Sequence, residues 1–213
     1  MAIYTSKTRI DLEDVGYSNK ITNKAILKIL ENAGARQSET IHFGLNDMEN
    51  VGFSWILLGW KVKILKRPIY NEELTINTWG RESNRIFTYR DYEIYDESGE
   101  LCTIATSKWA IVDINTGKLR ELTPEIIEKY QCETKKVFKE DYTLKLKEPT
   151  TIIRKQEYKA QRRDIDINKH IHNLYYLDYA YEALPEEVYE APECNNIEIM
   201  YKKQIRLNDE FKC

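Results

Sequence analysis

Two stretches of the chain have the dense, non-alternating apolar pattern that is typical of a buried helix. Residues 24–33 (KAILKILENA) place apolar side chains around most of a helix circumference, which indicates burial on most sides. Asn23 before this stretch and Gly34 after it are typical residues for a helix start and a helix end. The second stretch, residues 173–184 (NLYYLDYAYEAL), follows a similar polar lead-in. We therefore predict one buried helix in each half of the chain.

Strand-like runs follow the first predicted helix. They occupy residues 55–65, 74–79, 85–95 and 101–114, and turn-forming residues lie at 96–99 and 115–117. A short amphipathic helix is predicted to open at Thr123-Pro124, because proline is favoured in the first turn of a helix. One helix followed by several consecutive strands favours an α+β fold with an antiparallel sheet.

The second half of the chain repeats the order of the first. Each predicted helix is followed by a similar four-residue motif, Asn71-Glu-Glu-Leu74 in the first half and Asn208-Asp-Glu-Phe211 in the second. Such a repeat indicates two copies of one structural unit. We predict a first domain at residues 1–130, a connector at 131–150 and a second domain at 151–213.

The second copy is shorter than the first. In the first copy 39 residues separate Leu74 from Asp113, where the last predicted strand ends, whereas two residues follow Phe211. We therefore expect the second copy to lack its last strands. Either the chain is incomplete at its C-terminus, which we favour, or the second sheet is small and is completed by another element.

Composition narrows the class of protein. The 213 residues are 42% hydrophobic and 31% charged, a globular balance, and no run approaches the roughly 18 apolar residues that a membrane span needs. The net charge of -3 argues against nucleic acid or anionic lipid as a partner. Widely spaced cysteines favour thiols of a cytoplasmic protein over a zinc site or a disulfide framework; they lie at positions 102, 132, 194 and 213.

The segment 162–173 carries the candidate chemistry. Asp166, Asn168 and His170 alternate with isoleucines, so an extended backbone would place the three polar side chains on one side and the isoleucines, at 165, 167 and 171, on the other. The segment leads into a helix N-terminus, which favours negative charge. Acyl hydrolysis needs such a base for water and such donors for the oxyanion. Ordinary helix-capping residues are the alternative interpretation.

A family resemblance covers most of the chain. Residues 164–176 (DIDINKHIHNLYY) resemble the D-x-D-x-N-x-H-x-N-N-x-x-Y signature of plant and bacterial acyl-acyl carrier protein (acyl-ACP) thioesterases. The first half is similar to the N-terminal domain of that family at residues 60–64, 78–79, 85–91 and 105–109. The resemblance implies a tandem double hotdog, in which each domain is a long helix wrapped by an antiparallel sheet. The first domain would bind the acyl chain and the second would be catalytic.

The resemblance also implies site residues and roles. Asp166, Asn168 and His170 match the catalytic Asp, Asn and His of the family, and Gln204 stands where the family has a catalytic glutamate. We expect His170 to be the general base and Asn168 to hold the thioester carbonyl or the attacking water, whereas Asp166 either orients the site or acts as a nucleophile. An amide at position 204 can orient water but cannot accept a proton. His172 is expected to be a capping or wall residue.

The implied reaction releases free fatty acid and holo-ACP in fatty acid biosynthesis, without a cofactor or a metal. Its partner is an acyl carrier protein that carries an acyl-phosphopantetheine. Because carrier proteins are strongly acidic, we expect docking on a local basic surface, for which Lys159, Arg162, Arg163 and Lys169 are the candidates. A solvated strand face is the alternative for these four side chains.

Three points stay open in the sequence. Trp55, Trp60 and Trp79 either line an acyl tunnel or belong to the buried core, and burial is the commoner role. The function is acyl-ACP hydrolysis, hydrolysis of acyl-CoA by a related hotdog enzyme, or acyl binding without catalysis, which Gln204 suggests. The oligomeric state, including a homodimer, and the acyl chain length are not determined by the sequence.

Overall fold

A computed structural model describes residues 3–81, 84–140, 145–189 and 194–213. The chain forms two compact units, the first made of residues 1–144 and 195–200 and the second of residues 145–194 and 201–213. Residues 141–144 of the predicted connector lie outside the described part. No helix among the described residues is long and apolar enough to cross a lipid bilayer.

The first unit is built on one antiparallel sheet, which confirms the predicted α+β class. Its strands are β1 (Tyr4–Arg9), β2 (Phe53–Ile64), β3 (Glu73–Gly80), β4 (Phe87–Tyr95), β5 (Leu101–Asp113), β6 (Leu119–Arg120) and β8 (Asn196–Met200). They are arranged in the order β1-β3-β4-β5-β2-β8, and β6 pairs with β5. The short helices α2 (Met48–Val51) and α3 (Pro124–Tyr130) belong to the same unit.

The long helix α1 (Asn23–Thr40) packs on this sheet. It begins after Thr22, whose hydroxyl accepts the Ala25 N–H, so the predicted cap at Asn23 is wrong by one residue. The predicted end at Gly34 is also wrong. A Cβ at Gly34 would lie 3.0 Å from the Tyr92 hydroxyl oxygen, so this glycine permits close contact between helix and sheet instead of ending the helix.

Residues 131–140 of the predicted connector belong to the first unit. The Glu133 N–H donates to the Gly80 carbonyl at 2.8 Å, and the Val137 N–H donates to the Asp91 carboxylate at 3.0 Å. Asp91 is fully buried, and burial raises the pKa of its carboxyl group. Residues 133–137 are therefore a packed part of the first unit and not a free linker.

The second unit contains the helices α4 (Tyr175–Glu182) and α5 (Glu186–Tyr189) and a two-stranded sheet of β7 (Glu157–Lys159) and β9 (Glu210–Lys212). The helix predicted at 173–184 is thus shorter at both ends. It begins late because the Tyr175 N–H donates to the His172 carbonyl in a preceding turn, and Pro185 follows its C-terminal turn.

The predicted internal repeat is confirmed at the level of individual hydrogen bonds. Residues 11–22 and 161–172 share the same backbone conformation, with each residue of the second copy 150 positions after its counterpart. The Thr22 N–H donates to the Asp14 carbonyl, and the His172 N–H donates to the Asp164 carbonyl. The two matching sequence motifs also occupy equivalent places in the structure. The strand that follows Asn71, β3, pairs with β1 in the same register in which the strand that follows Asn208, β9, pairs with β7.

Candidate active site

The segment with the candidate chemistry forms a tight turn and not the predicted extended strand. Ile165 pairs with Ile171 as an isolated bridge, and we call residues 165–171 the site turn. The Asp166 N–H donates to the His170 carbonyl at 2.9 Å, and the Lys169 N–H donates to the Asp166 carbonyl at 3.0 Å. Lys169 has a positive φ of 63°, which closes the turn and removes the alternation of an extended chain.

The Asp166 carboxylate is bound by the backbone of the site turn. Its Oδ1 atom accepts hydrogen bonds from the Asn168 N–H at 2.8 Å and from the His170 N–H at 3.3 Å. This arrangement is an Asx turn. Asp166 therefore adds two hydrogen bonds to the backbone from which the other two candidate side chains project.

Exposure of these residues follows their place in the turn. Asp166 and His170 are half-buried, whereas Asn168 is exposed. Ile171 is 3% exposed and anchors the turn as predicted, but Ile167 is 65% exposed. Ile167 lies at the tip of the turn, so two of the three isoleucines remain on the packed side: Ile165, which is half-buried, and Ile171.

Gln204 lies beside the site turn. It follows the end of β8 and is exposed. The backbone holds this segment in place, since the Ile171 N–H donates to the Ile205 carbonyl at 2.8 Å and the Tyr176 hydroxyl donates to the Lys203 carbonyl at 3.3 Å. Within the described residues the Gln204 side chain makes no hydrogen bond. Gln204 thus lies after the strand and not on it, and the backbone brings it to the site turn.

His172 caps the turn that precedes α4. Its Nδ1 atom accepts the Leu174 N–H at 3.3 Å, and its ring lies against Tyr175, with 6.4 Å between ring centroids. The expected capping role is therefore confirmed.

Exposed basic side chains lie in the site turn and in the segments that flank it. Lys159, Arg162, Arg163 and Lys169 are all exposed, and the fold adds Lys203 and Arg206. Arg206 pairs through its backbone with His170. Sequence reasoning missed Lys203 and Arg206, although they flank Gln204. Residues 201–206 come close to the site turn through the backbone pairing of Arg206 with His170, which the spacing of residues along the chain does not reveal.

The three tryptophans differ in burial. Trp60 and Trp79 have no exposed surface; Trp60 packs on Tyr92 with 5.3 Å between ring centroids, and the Trp79 indole N–H donates to a backbone carbonyl. Trp55 is half-buried and contacts the Tyr130 ring edge to face at 5.6 Å. Trp60 and Trp79 therefore belong to the core in this conformation, which leaves Trp55 with exposed surface.

The two copies of the turn differ in their side chains. Gly16, Ser18 and Lys20 occupy the positions of Asp166, Asn168 and His170. The first copy has the same backbone but no carboxylate, amide or imidazole at these positions, so the candidate chemistry is confined to the second copy. No cluster of three or more metal-ligating side chains occurs in the part of the chain that the structure describes.

Two family models match consecutive parts of the chain. The model of the acyl-ACP thioesterase N-terminal domain matches residues 1–130, and the model of the acyl-ACP thioesterase C-terminal domain matches residues 147–213. Together they cover most of the chain, and residues 131–146 between them lie within the predicted connector.

Curated relatives are similar over nearly the whole chain. Oleoyl-acyl carrier protein thioesterase 1, chloroplastic, of Arabidopsis thaliana is 24% identical over 222 residues, which cover 97% of this chain and 61% of that protein. Oleoyl-acyl carrier protein thioesterase, chloroplastic, of Coriandrum sativum is 25% identical over 97% of this chain and 60% of its own length. The chain thus spans 61% and 60% of the lengths of these two relatives.

Solved structures confirm the tandem hotdog fold. An acyl-ACP thioesterase from Bacteroides thetaiotaomicron superposes with a TM-score of 0.84 at 23% identity and covers 98% of this chain and 84% of its own. The 12:0-ACP thioesterase from Umbellularia californica superposes with a TM-score of 0.86 at 17% identity, over 100% of this chain and 86% of its own.

Proposed function

The chain belongs to the acyl-ACP thioesterase family, and on this premise we propose that it hydrolyses acyl-ACP to a free fatty acid and holo-ACP in fatty acid biosynthesis. The observation that carries the proposal is the difference between the two copies of one turn. The second copy holds a carboxylate, an amide and an imidazole at positions where the first copy has Gly16, Ser18 and Lys20. A purely structural role would not require this difference, because both turns have the same backbone hydrogen bonds.

His170 is the general base of the proposed reaction. It removes a proton from water, whose oxygen attacks the thioester carbonyl carbon. The carbon–sulfur bond then breaks, and the phosphopantetheine thiol leaves with the proton. Asn168 holds the carbonyl or the attacking water. The two backbone hydrogen bonds to Asp166 Oδ1 favour an orienting role for this carboxylate over a nucleophilic one.

The developing oxyanion needs hydrogen-bond donors, and the backbone N–H groups at the start of α4 follow directly after the site turn. His172 already accepts the N–H groups of Leu174, through its ring, and of Tyr175, through its carbonyl. We therefore assign the Asn173 N–H as a backbone donor for the oxyanion. Gln204, held beside the turn, orients water through its amide.

The proposed partner is an acyl carrier protein with an acyl-phosphopantetheine. Lys159, Arg162, Arg163 and Lys169 provide an exposed basic surface for it, which matches an acidic partner in charge. Trp55 is the tryptophan whose partial exposure supports contact with the acyl chain. No cofactor or metal takes part in the proposed reaction.

We place the reaction in the cytoplasm. None of the four cysteines, all of which lie among the described residues, forms a disulfide, as is usual in a reducing compartment. A homodimer is compatible with the proposal, and size-exclusion chromatography with light scattering measures the oligomeric state directly.

The proposed function is tested by comparing acyl-ACPs with acyl-CoAs of the same chain lengths as substrates. We expect hydrolysis with a higher kcat/KM for acyl-ACP. A preference for acyl-CoA would instead support a CoA thioesterase, and tight acyl binding without release of thiol would support a binding protein. Either result would contradict the proposal.

A further inference from the structure

A buried carboxylate lies beneath the site turn. Asp164 is 3% exposed, and its Oδ2 atom accepts the Gln161 N–H at 2.8 Å and the Tyr179 hydroxyl at 2.5 Å. Its backbone carbonyl accepts the His172 N–H at 2.8 Å. Asp164 therefore holds both ends of residues 161–172, which include the site turn.

The first copy holds the equivalent carboxylate with a different donor. Asp14 is 4% exposed and accepts the Asp11 N–H at 3.3 Å, but its Oδ1 atom forms an ion pair with Lys28. In the second copy Asp178 stands at the position of Lys28, so this ion pair cannot form. The next residue of the helix, Tyr179, supplies the donor instead.

Tyr179 is well placed to donate at every physiological pH. Burial, together with the adjacent Asp164 carboxylate, raises the pKa of Tyr179 to about 12. Its ring is held independently of its hydroxyl, by Tyr158 at 4.9 Å and Phe211 at 4.8 Å between centroids. Arg163 also approaches Asp164, with 3.6 Å between Nε and Oδ1, but its side chain is 78% exposed, so water competes for this contact.

We propose that Tyr179 is a positioning residue, which acts through Asp164 to fix the site turn in its reactive geometry. A buried carboxylate that loses a donor attracts water, and this would loosen the segment it holds. Small displacements of reacting groups have large kinetic effects. The kinetic part of this inference rests on the proposed function, whereas the ordering of the turn does not.

The substitution Tyr179→Phe removes the hydroxyl and keeps the ring packing. We expect amide hydrogen exchange across 161–172 to accelerate by about tenfold or more, with exchange across 11–22 unchanged, because a hydrogen bond to a charged group is lost. We expect kcat for acyl-ACP to fall by about tenfold with little change in KM.

Tyr95→Phe is the matched control. It removes a bond of the same kind, from the Tyr95 hydroxyl to the Glu93 carboxylate at 3.0 Å, in the first unit. This variant should leave both kcat and exchange across 161–172 at wild-type values. Equal effects of the two substitutions would overturn the inference.

The two readouts separate the inference from the proposed function. An inactive wild-type protein refutes the proposed function, while exchange still tests the link between Tyr179 and the turn. Wild-type exchange in Tyr179→Phe, or an unchanged kcat in an active protein, overturns the inference. Should Tyr179→Phe fail to fold, Asp164→Asn, which keeps a neutral and weaker acceptor for the hydroxyl, must show a smaller rise in exchange across 161–172 or the inference is wrong.

Discussion

Replacement of Asp166 by alanine separates the part that its carboxylate plays in building the site turn from its part in catalysis. The first copy forms the same turn around Gly16, whose N–H donates to the Lys20 carbonyl at 3.0 Å, as the Asp166 N–H donates to the His170 carbonyl at 2.9 Å. A side chain at this position is therefore not needed for the turn. We expect Asp166→Ala to fold but to lose most hydrolytic activity.

The expected loss of stability follows from two hydrogen bonds. Asp166 Oδ1 accepts the N–H groups of Asn168 at 2.8 Å and His170 at 3.3 Å. Because the carboxylate is half-buried and water competes for it, each bond contributes about 1 kcal/mol, so the free energy of unfolding should fall by about 2 kcal/mol. The rate should fall by about 10² or more, as for other groups that organise proton transfer.

Urea unfolding followed by far-ultraviolet circular dichroism measures the stability, and steady-state kinetics with acyl-ACP measures the rate. Gly16→Ala is the matched control in the first copy and should leave kcat unchanged. Activity close to wild type in Asp166→Ala would refute a part for the carboxylate in catalysis. Loss of cooperative unfolding would instead show that the turn depends on it, contrary to the comparison of the two copies.

Three further predictions address the neighbouring residues. Gln204→Glu should raise kcat or shift its pH profile, because a carboxylate beside the turn can accept a proton; identical profiles for variant and wild type would exclude a part for this position. Reversal of Arg162 and Arg163 to glutamate should lower kcat/KM for acyl-ACP and weaken its dependence on salt, whereas hydrolysis of a small thioester without a carrier protein should persist; an equal loss on both substrates would contradict docking at these residues. Lys66 donates to the Asp96 carboxylate. Together with Ser98 and the Glu100 N–H, it holds the pKa of the Asp96 carboxyl group well below its ordinary value. The stabilising contribution of ionised Asp96 is therefore complete above about pH 4 and is lost as the pH falls towards the folded-state pKa. Urea titrations between acid and neutral pH should therefore show a flatter acid limb for Asp96→Asn, and an unchanged limb would contradict this.

The order of elements could be predicted from the sequence, because apolar periodicity and the internal repeat reflect local preference and burial. The four-residue motifs that begin at Asn71 and Asn208 are similar in sequence, and in the structure both residues have a positive φ, 71° and 70°. The length of α1 could not be predicted in this way. Gly34 is a typical helix end by local preference, whereas in the structure it is an interior residue of α1 that makes room for the Tyr92 hydroxyl.

The candidate residues of the site could also be predicted, but their geometry could not. Alternation of Asp166 and His170 with isoleucines is typical of a strand, yet the left-handed conformation at Lys169 turns the chain back. Among residues other than glycine, asparagine is one of the types that adopt that conformation most readily, and it occurs at the equivalent position 19 of the first copy. The contact between Asp164 and Tyr179 spans 15 positions and depends on the helix packing against the turn, which periodicity does not encode.

The most direct test of the account is single-turnover hydrolysis of acyl-ACP by the wild-type protein, by His170→Ala and by Lys20→Ala, which alters the equivalent position of the first copy. We predict that His170→Ala lowers the rate by about 10²–10⁴, with circular dichroism unchanged, and that Lys20→Ala retains the wild-type rate. A wild-type rate in His170→Ala, or equal losses in the two variants, would contradict the assignment of the chemistry to the second copy.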